Sequence, residues 1–291
     1  MTGEATFTGA VTVIGGGTMG QGIATATLSA GLPATVVDVD PGSLERARAA
    51  IARRVARVFG EETDSVLNRL TLATDLEAAV ATSSAVIEAV PEILPLKMDI
   101  FRRLAVAAPR GTLLATNTST FSISRLAEAA GGSDRVIGMH FFNPAHKMRL
   151  VEIVTAESSS ESTLHDARLL ANTLGKDPIV VNDVPGFVTS RLGLLLGTEA
   201  MRMVDEKVAS AGDIDKAMRL GYGHPMGPLE LADLVGLDVR LNNLRSMYER
   251  TGSPQYSPPE ILEQLVRDGN LGKKSGKGFF DYDAAQPPQQ S

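Results

Sequence analysis

Glu152 is the most informative single residue in this chain. It sits in Leu150-Val151-Glu152-Ile153-Val154, with aliphatic strand-forming residues on both sides. A carboxylate in such a run is costly to bury unless a cation or hydrogen-bond donor meets it. His140 stands twelve residues earlier, and a strand, a loop through Pro144 and a returning strand can bring the two side by side. A histidine held by a carboxylate gains a defined tautomer, and the carboxylate stabilises the imidazolium once the ring accepts a proton. That is a general-base arrangement for oxidising an alcohol. The competing reading is a satisfied strand-end histidine, with Glu152 facing solvent on an edge strand.

A second constellation opens the chain. The run Val11-Thr12-Val13-Ile14 leads straight into Gly15-Gly16-Gly17-Thr18-Met19-Gly20, and a small-residue-rich helical stretch closed by Gly31 follows. Gly15 permits a tight turn off the strand, Gly17 lets backbone approach a pyrophosphate, and Gly20 lets helix and strand pack closely. Gly15, Gly17, Thr18, Met19 and Gly20 are therefore expected to cradle a dinucleotide at a helix N-terminus. Eighteen residues beyond Gly20 stands Asp38, placed to accept hydrogen bonds from a ribose 2′-hydroxyl and to repel a 2′-phosphate, which predicts NAD over NADP. The neighbouring Asp40 reads as the cap of the next helix.

In an open parallel sheet, ligands bind beyond the carboxyl ends of the strands. Polar residues cluster at such ends in Glu88-Ala89-Val90-Pro91-Glu92 with Lys97 beyond, in Asn117-Thr118-Ser119-Thr120, and in His140-Phe141-Phe142-Asn143-Pro144. His146, His165 and His224 read as structural. The charges of His146, Lys147 and Arg149 read as a solvated loop, with attraction for substrate phosphates as the alternative.

The elements that must position these groups follow from hydropathy. Strands are predicted at Val11 to Gly15, Ala34 to Asp38, Leu70 to Ala73, Ala85 to Ala89, Thr112 to Thr116, Val136 to His140, Leu150 to Thr155 and Ile179 to Val181. Helical spacing fills Pro41 to Phe59, Pro95 to Ala107 and Ser162 to Leu174, with Pro in the first turn of two and Gly175 after the third. Beyond Val181 only helices are predicted: Gly186 to Lys207, Asp213 to Leu220, Pro228 to Leu234, Leu237 to Arg250 and Pro258 to Asp268. The fold class is α/β: a Rossmann-like, doubly wound, mostly parallel sheet over residues 1–184, then a smaller all-helical domain over 185–285. The Pro- and Gln-rich tail, 286–291, is expected to be disordered.

Composition narrows the function. A length of 291 residues suits about two domains. The content, 43% hydrophobic against 21% charged, excludes a disordered chain, and no apolar run approaches the ~20 residues of a membrane span. A net charge of −6 with no basic run argues against nucleic acid. No cysteine is present and the four histidines are scattered, so neither a metal site nor a thiol nucleophile is expected. The N-terminus lacks a signal-peptide pattern, so a cytoplasmic location is expected.

Together the motifs resemble those of the L-3-hydroxyacyl-CoA dehydrogenases, especially the stand-alone bacterial 3-hydroxybutyryl-CoA type, over nearly the whole chain. The resemblance is carried by the glycine turn, Glu88 to Glu92, Asn117-Thr118-Ser119, His140 to Pro144, Leu150 to Val154, Val184-Pro185-Gly186-Phe187, Gly223 to Pro228 and the late Gly272 to Tyr282. It implies reversible NAD-dependent oxidation of a 3-hydroxyacyl-CoA, with His140 as general base and Glu152 as its orienting partner. It further implies that Ser119 hydrogen-bonds the substrate oxygen and that Glu92, Lys97, Asn117, Ser119 and Asn143 belong with the cofactor. The family's usual Asn-Arg pair is Ser190-Arg191 here. Serine keeps a donor and an acceptor but is shorter than the amide, so Ser190 is carried as a substrate-binding and catalytic candidate that can act through a water.

The resemblance also implies that the helical domain covers the acyl chain and forms a homodimer. Its first helix, with Leu192, Leu194, Leu195, Leu196, Met201 and Met203, is more apolar than a lone surface helix requires. Two alternatives stay open: a dehydrogenase of a free 3-hydroxy or sugar acid, and a non-catalytic nucleotide-binding relative.

Overall fold

The computed structural model describes residues 6–282. The chain divides into two compact units, Met1–Phe187 and Val188–Ser291. The first runs β1 (Val11–Ile14), α1 (Thr18–Ser29), β2 (Ala34–Val37), α2 (Pro41–Phe59), α3 (Thr63–Leu67), β3 (Leu70–Ala73), α4 (Leu76–Val80), β4 (Ala85–Glu88), α5 (Leu94–Ala107), β5 (Leu113–Thr116), α6 (Ile123–Ala129), β6 (Val136–Phe141), β7 (Leu150–Thr155), α7 (Glu161–Thr173) and β8 (Asp177–Asn182).

The eight strands form one sheet in the order β3-β2-β1-β4-β5-β6-β7-β8. All neighbours are parallel except β6 and β7. From β1 the chain steps outward through β2 to β3, then returns to β4 on the other side of β1. That reversal opens a crevice at the carboxyl ends of β1 and β4, where doubly wound folds bind ligands. β1, β4, β5 and β6 are buried along their whole length, as strands covered on both faces must be. Their side chains alternate between two cores. Val11, Val13, Ile87 and Met139 face one; Ile14, Val86, Leu114 and Val136 face the other.

α2 shows how local sequence sets an element. Asp40 caps it by accepting the Gly42 and Ser43 N–H groups, Pro41 occupies the first turn, and Leu44, Ala47, Ile51 and Val55 form its buried stripe. Three short helices, α3, α4 and α6, lie outside the sequence expectations. They are too short to signal by periodicity and are held by burial of Val66, of Leu76 and Val80, and of Ile123, Leu126 and Ala127.

In the second unit, α8 (Thr189–Asp205), α9 (Ala211–Tyr222), α10 (Pro228–Val235), α11 (Leu237–Thr251) and α12 (Glu260–Arg267) enclose a core of Leu194, Met201, Leu229, Leu237, Leu244 and Tyr256. Asp215 of α9 accepts the Leu229 and Glu230 N–H groups and so caps α10. Asp233 accepts the Phe279 and Phe280 N–H groups and the Tyr282 hydroxyl, and its burial raises its pKa.

α8 starts at Thr189 rather than at Gly186. Gly186 and Phe187 have φ of 79° and 47°, outside the right-handed helical region. Phe187, the last residue of the first compact unit, is buried in the sheet's second core. The C-terminal tail at 286–291 lies outside the described residues. Among the described residues, no helix is long and apolar enough to cross a membrane.

Candidate active site

The glycine turn is built as its sequence requires. Gly15 has φ of 107°, and a Cβ there would lie 2.7 Å from the Ala89 carbonyl oxygen of the turn after β4. A Cβ on Gly20 would lie 1.9 Å from the Gly15 carbonyl oxygen. Gly17 is different, because a Cβ there meets nothing within 4 Å. Its glycine leaves open space over the start of α1, a helix with no side-chain cap and no acidic residue in its first turn. Exposed Thr18 and half-buried Met19 supply that first turn. Unpaired N–H groups and the positive end of a helix dipole suit a phosphate, so this cradle fits a dinucleotide pyrophosphate.

Asp38 follows β2 beside this turn. Its Oδ2 accepts the Gly16 N–H at 2.8 Å and the Ser43 hydroxyl at 3.2 Å, while Oδ1 accepts the Asp40 N–H at 3.0 Å. Asp38 therefore ties the end of β2 to the glycine turn.

His140 and Glu152 are direct register partners across β6 and β7. The His140 Nδ1 lies 2.7 Å from Glu152 Oε2. Glu152 is 0% exposed and His140 8%. A carboxylate only accepts, so Nδ1 carries the proton and Nε2 is left with the lone pair. The imidazole is tilted against two aromatic rings, with centroids 4.6 Å away for Phe142 and 6.0 Å away for Phe187. Phe142 and Phe187 are part of the site that residue typing alone does not reach.

The loop after β5 joins this pair to the β4 turn. Asn117 Oδ1 accepts the Phe141 N–H at 2.9 Å, directly beside His140. Glu92 accepts the Thr118 hydroxyl and, at 3.2 Å each, the Ser119 and Thr120 N–H groups. Lys97 is buried, and its ammonium lies 2.7 Å from Glu88 and 3.2 Å from Glu92. Lys97 therefore serves the β4 turn. Ser119 Oγ lies 3.3 Å from the Thr120 hydroxyl. Asn143 is exposed on the loop after β6. Ser190 is half-buried in the first turn of α8, in the second unit. Within the first unit the structure thus brings together Glu92, Lys97, Asn117, Ser119, His140 and Glu152 at the edge formed by the carboxyl ends of β4, β5 and β6 and the amino end of the antiparallel β7.

Glu88, named in the sequence only as part of a strand-end cluster, is fully buried and paired with Lys97 and Thr116. Its signal was present, since an acid ending the buried strand Ala85-Val86-Ile87-Glu88 needs a partner for the reason Glu152 does. The His146 loop is less solvated than its charges suggest. His146 Nδ1 and Arg54 Nη1 are both buried without a hydrogen-bond partner, and burial, then Arg54, Lys147 and Lys176, lower the His146 pKa. Among the described residues, no group of His, Asp and Glu is arranged to hold a metal ion.

Comparison with known proteins identifies the family. Residues 10–184 match the family model described as 3-hydroxyacyl-CoA dehydrogenase, NAD binding domain, and residues 186–282 match the C-terminal domain of the same family. A probable 3-hydroxybutyryl-CoA dehydrogenase of Bacillus subtilis is 40% identical over 279 residues, 94% of this chain and 97% of the relative. The mitochondrial hydroxyacyl-coenzyme A dehydrogenase of Sus scrofa is 37% identical over 94% of this chain and 90% of its own. The crystal structure of (S)-3-hydroxybutyryl-CoA dehydrogenase from Ralstonia eutropha superposes with a TM-score of 0.90 at 36% identity, covering 95% of this chain and 99% of that one. The N-terminal unit is an NAD-binding domain, and the chain belongs to the 3-hydroxyacyl-CoA dehydrogenase family.

Proposed function

We propose that this protein catalyses the reversible NAD-dependent oxidation of a (3S)-3-hydroxyacyl-CoA, with short-chain 3-hydroxybutyryl-CoA as the preferred substrate, to the 3-ketoacyl-CoA. The observation that carries this reading is the buried His140–Glu152 pair, 2.7 Å apart, on the edge of the sheet that also bears the phosphate turn. Nε2 of His140 removes the proton of the 3-hydroxyl as the C3–O bond becomes a carbonyl. NAD, when bound, accepts the hydride that leaves C3. Glu152 holds the ring in the required tautomer and stabilises the imidazolium that results. Ser119 donates a hydrogen bond to the substrate oxygen, and Ser190 takes the place of the amide usual in the family. In the reverse direction, His140 returns its proton to the oxygen at C3.

Glu92, Lys97, Asn117 and Asn143 shape the nicotinamide half of the cofactor site, with Gly15, Gly17, Thr18, Met19, Gly20 and Asp38 at the pyrophosphate and ribose. The helical unit binds the acyl group and pairs two chains, consistent with the outward Leu192 and Leu196 of α8, which are 63% and 37% exposed.

The test mixes purified protein with acetoacetyl-CoA and either NADH or NADPH and follows nicotinamide absorbance, with Ser190→Asn alongside. Consumption of NADH with little of NADPH supports the reading. Silence with acetoacetyl-CoA but turnover of a free hydroxy or keto acid would overturn it, as would silence with every substrate.

A further inference from the structure

Glu88 has no part in the reaction above, yet it is one of the most deeply enclosed charges in the protein, at 0% exposure. Two of its side-chain partners, Lys97 and Thr116, lead toward the Ser119 loop. Its Oε1 accepts the Lys97 ammonium at 2.7 Å and the Val90 N–H at 2.8 Å. Its Oε2 accepts the Thr116 hydroxyl at 2.7 Å, from the register partner of Glu88 on β5. Thr116 Oγ1 in turn accepts the Thr118 N–H at 3.3 Å. On the other side, Lys97 reaches Glu92 at 3.2 Å, and Glu92 accepts from the Thr118 hydroxyl and from the Ser119 and Thr120 N–H groups. Thr118 Oγ1 completes the turn by accepting the Phe121 N–H at 2.9 Å.

The contacts therefore close a ring: Glu88, Lys97, Glu92, Thr118, Thr116 and back to Glu88. Thr116 and Thr118 are as buried as Glu88 and Lys97, at 0% and 1% exposure, while Glu92 closes the ring at the surface. Burying an ion pair of this kind is expensive, and apolar residues of similar volume often give an equally stable core. The ring's geometry identifies what it does: it fixes three consecutive residues, 118–120, from two strand ends at once. The ring ends on Ser119, whose hydroxyl must meet a substrate oxygen, and a misplacement of about 1 Å at such a group costs about 100-fold in rate.

We propose that Glu88 and Thr116 are positioning residues for Ser119, acting through this largely buried ring to hold the loop after β5 in its catalytic conformation. The use made of Ser119 rests on the proposed reaction; the order of the loop does not. Two readouts separate them: hydrogen exchange at the Ser119, Thr120 and Phe121 amides, and steady-state turnover of acetoacetyl-CoA with NADH.

Glu88→Gln keeps the shape and removes the charge, while Thr116→Val removes the hydroxyl and keeps the branched shape. Both are expected to exchange these amides at least about tenfold faster and to lose about tenfold or more in kcat, with KM for acetoacetyl-CoA changed by less than about threefold. Thr116→Ser restores the hydroxyl and should recover both readouts. Should Glu88→Gln fail to fold, the Thr116 pair decides alone. Exchange and kcat within twofold of wild type in the folded variants would overturn the proposal. So would a Thr116→Ser variant as impaired as Thr116→Val. A wild type that exchanges these amides slowly but does not turn over acetoacetyl-CoA would count against the reaction; the exchange comparison would then decide the ring.

Discussion

His140 and Glu152 are opposed in register across β6 and β7, and their side chains meet at 2.7 Å on one face of the sheet. Side-chain direction alternates along a strand, so a one-residue slip would send Glu152 to the opposite face. The antiparallel pair is thus the device that converts a twelve-residue separation into a hydrogen bond. It also places the dyad beside Asn117, whose side chain is tied to the Phe141 backbone.

The glycine turn separates folding from cofactor binding. Gly17→Ala adds a methyl group where nothing lies within 4 Å, so the melting temperature should stay within about 2 °C of wild type. Affinity for NADH should fall at least about tenfold, because the added carbon enters the phosphate cradle. Gly20→Ala puts a carbon 1.9 Å from a carbonyl oxygen and should destabilise the first unit by about 4 kcal/mol or more, or abolish soluble protein. Thermal melts and NADH fluorescence titration check both.

Asp38→Ala should raise the ratio of NADPH to NADH turnover by at least about tenfold, since the acid no longer repels a 2′-phosphate. The variant also leaves the Gly16 N–H without its acceptor, at a cost of about 1 to 3 kcal/mol in stability. A melting curve measured beside the cofactor comparison separates the two effects.

His146 sets a pH dependence of stability. Burial, reinforced by Arg54, Lys147 and Lys176, holds its pKa below the ordinary 6.5. Below that pH the unfolded chain takes up a proton that the folded chain refuses, so this contribution to stability is lost as pH falls from 6.5 through the depressed folded value. His146→Gln should therefore lose less melting temperature than wild type between about pH 7.5 and about pH 5.5. An equal loss in both proteins would contradict it.

Glu152→Gln preserves the shape of the pair and its capacity to accept from Nδ1, but it removes the charge that stabilises the imidazolium. Its kcat should fall about 100-fold, with NADH binding unchanged. Steady-state rates beside a fluorescence titration test this. Glu152→Ala should in addition lower the melting temperature, because His140 would lose its buried partner.

Much of this arrangement is legible in the sequence, and the reasons differ by residue. β1 and the glycine turn read directly, because each glycine answers a local steric demand. The helix α2 reads from Asp40, Pro41 and its apolar stripe. Glu152 and His140 read as a pair because a buried carboxylate needs a partner, although spacing alone left solvent exposure as an alternative. The short helices α3, α4 and α6 do not read, since tertiary burial rather than local propensity holds them. Nor does the ring around Glu88, whose members come from β4, α5, β5 and the loops after both strands and meet only after the sheet has formed. Phe187 illustrates the same limit. Its φ of 47° lies outside the right-handed helical region, and a phenylalanine, unlike glycine or asparagine, does not announce such a conformation.

The most direct measurement is the turnover of acetoacetyl-CoA with NADH by His140→Gln, made beside a titration of NADH binding to the same protein. Loss of His140 as proton donor should reduce kcat by about 1,000-fold while leaving cofactor affinity within about threefold of wild type. An undiminished rate in the variant, with wild type active under the same conditions, would contradict the assignment of His140 as the acid and base of the reaction.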